Sequence, residues 1–402
     1  MSRTARHAAP TWFVVLVVLT SAASTGSVSA SGFSESERSS EPTRDDDLDR
    51  RVAVMVDEGL AFLAGQQNDD RSFSAVRGED VIQAPLAVTA LSALAFMANG
   101  STLGRGAYQQ QVRTAIEYLL DHQIDLELDG APPGPLGKDG VPLVPGYFKV
   151  ESDSTSRTHG HGYATLAIAE AYGTLAPDPR LGDAAESKMR QDQARMKVAL
   201  QRAVLLIESS QSDKGGWFYQ PGDNLDEGSV TITMIQALRA ARDVGIDVNK
   251  TVIDAAVEYV RKSQRPGDGG FKYQITGVES VTYALTAAAI STLNASGDYD
   301  STVIDLGLEF MKRNDPVFEP HAHYLEDQKF PWYARLYAAQ AYYAHRDRKL
   351  WERWFPLLVE DLGGRRNDKG SFNDDQYGQV YATATACLML QIDYQYLPIF
   401  QR

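Results

Sequence analysis

The chain has one cysteine, Cys387, in 402 residues. A single thiol excludes any intrachain disulfide and any cysteine-based structural zinc site of the usual kind. Basic residues are also in short supply. Lys and Arg total 39 against 53 Asp and Glu, a formal net charge of −14. Nucleic acid and anionic membrane surfaces require clustered cations, so this balance argues against either as the main partner. The apolar run from Trp12 to Leu19 is too short to cross a bilayer as a helix. The sequence holds no Gly-rich phosphate loop, no Ser-His-Asp order and no His-Glu-x-x-His motif. The Gly-Gly pairs at 215–216 and 269–270 follow helical patterns rather than strands, so they read as helix stops. The apolar fraction, 43%, is that of a globular protein and excludes wholesale disorder.

Residues 1–30 read as an export signal. Arg3 and Arg6 precede the short apolar run, and Val28-Ser29-Ala30 offers a small-x-small cleavage site. The expected location is periplasmic or secreted, with no membrane span in the mature protein. Residues 31–50 are polar and charged and read as a disordered linker, in which Asp45-Asp46-Asp47 is a solvated acid run. The folded domain is expected over 51–402.

That domain repeats. Four amphipathic stretches end in a glutamine followed by a Gly- or Asp-rich turn, at Gln67, Gln123, Gln211 and Gln264. Two more keep the frame without the glutamine and end at Phe318 and Phe372. In one of them Val252, Ile253, Ala256, Val257 and Val260 share a helical face. A second stretch follows each turn, apolar nearly all round and rich in Ala, Thr and Tyr, as expected of a helix buried on both sides. Six pairs make twelve helices. The last is as apolar as the others, so no polar capping repeat ends the array. Closure into a ring covers both ends at once. The expectation is an all-α fold, a single α/α toroid with inner helices around a central cavity, and irregular insertions at 124–157 and 174–195.

The apolar helix, glutamine and Gly-Gly-aromatic turn, clearest at 203–218 and 254–271, resemble the repeats of the prenyltransferase and squalene-cyclase superfamily. The likeness extends over about 52–395. It implies that Gln211, Trp217, Gln264 and Phe271 tie adjacent repeats together. It also implies an isoprenoid-like or otherwise apolar small molecule as the partner. The zinc-binding Asp-Gly-Cys of the prenyltransferases is replaced here by Glu227-Gly228-Ser229, and the Asp-x-Asp-Asp acid of the cyclases by Phe372-Asn373-Asp374-Asp375. No cofactor is expected.

Inner helices of a toroid run parallel, and their N-terminal ends attract carboxylates. Asp226, Glu227, Glu279, Asp374 and Asp375 fall at such starts. Either they form a general-acid cluster with a raised pKa, or they cap helices. His159 and His161 open the second inner helix, and His321 and His323 precede the fifth beside Glu326 and Asp327. Together the four imidazoles offer a candidate divalent-metal set, against the alternative of loop histidines with ordinary partners. Tyr163, Tyr333, Tyr337 and Tyr381 are expected at the cavity wall, where aromatic rings hold apolar chains or stabilise carbocations.

Three readings stay open. One is a binding protein with His159, Tyr163, Glu227, Tyr333, Tyr337 and Tyr381 around an apolar ligand. Another is a divergent terpenoid or lipid cyclase or isomerase, with Asp374 and Asp375 as acids and His161 assisting. The third is a glycan-active toroid enzyme with paired acids. Whether the chain is catalytic, and in what oligomeric state, is not legible at this level.

Overall fold

A computed structural model describes residues 44–76, 78–127, 142–153, 157–175, 182–277, 280–298, 301–318 and 330–400. The export signal, Glu279, His321, His323, Glu326 and Asp327 lie outside these residues. Twelve α-helices are present among them, as α1 (Arg44–Ala64), α2 (Pro85–Ala98), α3 (Gln109–Asp121), α4 (Arg157–Gly173), α5 (Asp183–Ser209), α6 (Gly228–Asp243), α7 (Lys250–Lys262), α8 (Tyr283–Ala295), α9 (Thr302–Asn314), α10 (Pro331–Ala344), α11 (Arg348–Arg365) and α12 (Gly378–Leu390). None is long and apolar enough to cross a membrane.

The even-numbered helices form the inner ring. Each packs on the next, and α12 packs back on α2. The odd-numbered helices lie outside, and α1 closes the seam against α12 and α11. Composition decides the layer. Every residue of α2 except Ala87 is buried, whereas α7 buries only Val252, Ile253, Ala256, Tyr259 and Val260. At the seam, a Cβ on Gly59 would lie 2.7 Å from Cys387 Sγ, so glycine is what lets α1 approach α12. The thiol is a buried packing group.

The glutamine staples are present. Gln211 Nε2 donates to the carbonyls of Gly215 and Val252, both at 2.9 Å, and Gln264 Nε2 to those of Gly269 (3.2 Å) and Val303 (2.8 Å). Each staple joins its own turn to the first turn of the next outer helix, where the carbonyl's second lone pair accepts the glutamine. Gly215 adopts φ +92°, and a Cβ there would meet the Ala255 carbonyl oxygen at 2.5 Å. Close contact between repeats thus requires glycine at that position.

A second pairing recurs in the turns. The amides of Phe73, Trp217, Phe271 and Phe372 donate to the hydroxyls of Thr89, Thr231, Thr286 and Thr383, at 2.8 to 3.1 Å. In the second repeat the amide of Phe148 donates instead to His161 Nδ1, at 3.2 Å.

Three expectations need correction. The linker does not run to residue 50, because α1 starts at Arg44 and takes in the acid run; acids in a first helical turn suit the helix dipole. The insertion after Gln123 is not wholly irregular, since β1 (Gln123–Glu127) and β2 (Leu143–Phe148) pair antiparallel. The charged stretch up to residue 195 is largely the first half of α5, 27 residues long and held by pairs such as Lys188–Asp192 and Arg190–Glu186 at i,i+4 spacing.

Candidate functional site

The six inner helices start at one end of the ring, here called the mouth, and finish at the other, the floor. Helical spacing fixes which side chains face the lumen between. On α4 the stripe is His159, Tyr163, Leu166 and Glu170; on α10 it is Tyr333, Tyr337 and Gln340. The lumen is closed across its middle. Tyr163 and Tyr337, on opposite helices of the ring, approach hydroxyl to hydroxyl at 3.4 Å. Tyr337 Oη donates to Gln236 Oε1 (2.9 Å), Gln236 Nε2 donates to Gln340 Oε1 (3.0 Å), and Ser291 Oγ donates to the same oxygen (3.0 Å). Four helices are linked by this one polar network. A small cavity lined by Leu94, Leu166, Tyr337, Leu388 and Ile399 among others measures about 20 Å³, room for a single water molecule.

Toward the mouth, Tyr333 packs on Tyr337 with ring centroids 4.6 Å apart, and Tyr377 on Tyr381 at 5.2 Å. Burial and the neighbouring Tyr163, Glu227 and Tyr381 hold the Tyr333 phenol well above its ordinary pKa. Its hydroxyl is buried without a hydrogen-bond partner among the described residues. Tyr219 and Tyr273 join hydroxyl to hydroxyl nearby. Tyr163, Tyr333, Tyr337 and Tyr381 thus lie close together.

Glu227 is fully buried at the start of α6. Its carboxyl accepts from the amides of Ser229 (3.0 Å) and Val230 (2.5 Å) and from Ser229 Oγ (2.8 Å). Burial pushes its pKa up to about 7 despite these donors. His159 is half-buried beside it, hydrogen-bonded to the Ser229 backbone, and desolvation lowers its pKa to about 4. The imidazole is neutral at physiological pH.

Asp374 and Asp375 part company. Asp374 Oδ1 accepts from the amides of Gln376 (3.0 Å) and Tyr377 (2.6 Å) and so closes a turn just ahead of α12. Burial raises its pKa against those two donors. Asp375 is exposed and lines nothing. The general-acid pair expected here is therefore corrected: one carboxyl is engaged in a turn and the other faces solvent.

His161 is also corrected. Two residues on a helix lie about 200° apart, so His161 points away from the lumen when His159 points toward it. It is 1% exposed, between Tyr147 and Phe148, with the Ala203 backbone of α5 beyond. It holds the position of the repeating threonine, accepts the Phe148 amide, and has its pKa driven down to about 3 by burial.

At the floor lie two groups that belong to no motif. Glu170 is 2% exposed in the last turn of α4, and desolvation raises its pKa to about 8. One carboxyl oxygen accepts the Ile399 amide at 3.0 Å, and the other has no partner among the described residues. Ile399 belongs to a 3₁₀ turn, Pro398–Phe400, that packs on α6 and lines the lumen. The i, i+4, i+7, i+11 spacing from His159 would have found Glu170; nothing in the sequence foretells Ile399. Among the described residues no group of three or more His, Cys, Asp or Glu side chains is placed to hold a metal.

Ring closure, inner and outer helices and a filled lumen define an α/α toroid. The squalene-hopene cyclase C-terminal domain model matches residues 184–334, which bears out the resemblance carried by the glutamine–aromatic repeats. The type II terpene cyclase MstE from Scytonema is similar in structure at 13% identity, with a TM-score of 0.51, covering 87% of this chain and 100% of that one. A variant of that enzyme in complex with geranylgeranyl dihydroxybenzoate, its substrate, aligns at 12% identity and a TM-score of 0.50, covering 86% and 98%. An inactive variant of the α-1,6-mannanase GH76A of Salegentibacter sp. HEL1_6, in complex with α-1,6-mannotriose, aligns at 8% identity and a TM-score of 0.54, covering 86% and 98%. No curated protein matches the sequence.

Proposed function

We propose that this is an exported toroid that binds an apolar, isoprenoid-like molecule in its tyrosine-walled lumen. The supporting observation is the convergence of Tyr163, Tyr333, Tyr337 and Tyr381 from three inner helices, with the Tyr333 hydroxyl left unpartnered. Rings of this kind lie flat on polyene chains, and an unpartnered buried hydroxyl reads a polar group on the ligand. Similarity to the squalene-cyclase domain favours an isoprenoid over other apolar compounds.

Geranylgeraniol uptake by the purified protein tests this reading, with α-1,6-mannotriose as the control because a mannanase shares the fold. Saturable binding of geranylgeraniol is expected. Tyr333→Ala or Tyr381→Ala weakens it about tenfold, the equivalent of one aromatic contact. Binding of mannotriose and not geranylgeraniol overturns the proposal. Recovery of the processed protein from the host's envelope or medium tests export.

One observation favours catalysis as a second reading. Glu227, rather than Asp374, is the acid that burial keeps substantially protonated near neutrality, and it lies close to Tyr333. A neutral carboxyl under an aromatic wall is what proton-initiated cyclisation requires. Turnover of a geranylgeranyl compound that survives Asp374→Asn and is lost in Glu227→Gln supports it.

A further inference from the structure

The lumen has two closed ends, and they are closed by different means. At the mouth side the barrier is part of the ring: Tyr163 and Tyr337 stand on inner helices and are tied into the glutamine network, and Tyr333 packs its ring on Tyr337. At the floor the barrier is a short appendage. After α12 the chain passes through a left-handed residue, Gln395 (φ +55°), and doubles back. Tyr396 is left exposed while Leu397 is buried and Ile399 lines the central cavity. Gln395 Nε2 bonds Tyr343 Oη at 2.6 Å, and the Ile399 amide bonds Glu170. The second Glu170 oxygen is buried at this spot and makes no hydrogen bond among the described residues.

We propose that the segment Leu397–Phe400 is a displaceable plug, and that Glu170 behind it is a ligand-binding group. Ile399 occupies the lumen as an apolar ligand would, and its amide gives Glu170 the single donor that a ligand's polar end would give. The chemistry selected is an apolar molecule carrying at least one N–H or O–H donor, entering from the floor. A donor beside an acceptor suits the site better than a donor alone, since a neutral Glu170 has one oxygen that accepts and one hydroxyl that donates. The proposal rests on the lumen being a ligand site. It adds that the protein's own C-terminal segment competes for it, so that apparent affinity falls with the fraction of molecules whose plug is seated.

The probe is N-phenyl-1-naphthylamine, an apolar fluorophore with one N–H. It is titrated into the full chain, into Ile399→Gly and into Tyr333→Ala, each checked for native melting, while hydrogen exchange of residues 395–400 is followed. Ile399→Gly is expected to tighten binding about fivefold or more by removing the competitor. In the wild type the probe is expected to speed exchange of the Ile399 amide. If Ile399→Gly binds like the wild type, exchange is unchanged and Tyr333→Ala alone alters affinity, the plug is overturned and the lumen reading survives. If none of the three proteins binds the probe saturably, the lumen reading itself has failed.

Discussion

The two ends of the lumen each bury a glutamate, and the difference between them is instructive. Glu227 stands at the start of α6, where its carboxyl meets two backbone amides and a serine hydroxyl. Glu170 sits in the last turn of α4, where the helix offers the negative end of its dipole, and it receives one amide from outside the helix. Both are desolvated. Burial lifts Glu227 to about 7, and burial with a smaller push from Asp243 lifts Glu170 to about 8. The donors that hold Glu227 down are those of a helix start, and the floor lacks them. Position along the helix therefore makes one residue type a cap with a titratable edge and the other a neutral acid.

Removing the partition between the ends has the largest expected effect. Tyr337→Ala leaves a void at the ring's centre and deprives Gln236 Oε1 of its donor. The expected loss is about 4 kcal/mol. Tyr337→Phe keeps the volume and is expected to cost about 1 kcal/mol. Thermal or urea unfolding of the pair separates packing from hydrogen bonding. A loss in Tyr337→Phe equal to that in Tyr337→Ala would mean the network, not the ring, holds the lumen shut.

Next comes pH. Both glutamates have folded pKa values above the ordinary 4.5, so the folded state holds protons that the unfolded state releases. Their effect is absent below about pH 4.5, and stability falls as pH rises through the interval. For Glu170 the decline continues to about pH 8 and for Glu227 to about pH 7, each at up to about 1.4 kcal/mol per pH unit. Glu170→Gln keeps an acceptor for the Ile399 amide and cannot ionise. It is expected to unfold later than the wild type at pH 8.5, by a few kcal/mol. Glu227→Gln also escapes titration but trades an acceptor oxygen for an amino group facing backbone N–H groups, losing a cap worth about 1 kcal/mol. Its gain at pH 8.5 is therefore smaller. Equal gains in the two variants would erase the distinction between mouth and floor.

The outer face of α4 gives a smaller and cleaner effect. His161→Ala orphans the Phe148 amide and leaves a small void, an expected loss of about 2 kcal/mol. Geranylgeraniol uptake should not change, because the ring lies outside the lumen. The depressed His161 pKa, about 3 against 6.5, gives the opposite sign to the glutamates. Its contribution is complete above about pH 6.5 and is lost as pH falls toward 3. A His161→Ala variant whose stability ran parallel to the wild type between pH 6.5 and 4 would show that the imidazole is not held neutral.

The fold was largely legible because it rests on short-range rules. A period of 3.6 separates outer from inner helices, and Gln211 and Gln264 mark the turns without help from tertiary structure. Tyr333 and Tyr337 were legible for the same reason, being one helical turn apart. His161 was misread because adjacency in sequence suggested a shared site with His159, while the helix sends the two in different directions. Glu170 belongs to no motif, and its importance comes from what is missing around it. Ile399 reaches the lumen only because the chain reverses at Gln395, a tertiary event that no local pattern records.

Asp374→Asn is the smallest expected effect and tests the mouth from the other side. Asparagine closes this turn about as well as aspartate, since one side-chain oxygen suffices to accept the Gln376 and Tyr377 amides. If Asp374 only holds the turn, the melting temperature should move by less than about 3 °C, with geranylgeraniol uptake intact. The shift should vary less with pH than that of Glu227→Gln, because Asp374 is only half-buried and two amides oppose the burial that raises its pKa. Glu227→Gln, measured alongside, should show a clear pH dependence relative to the wild type across pH 5 to 7. Matching pH profiles for the two variants would make the carboxyls equivalent, and the acid of the mouth would then be a pair rather than Glu227 alone.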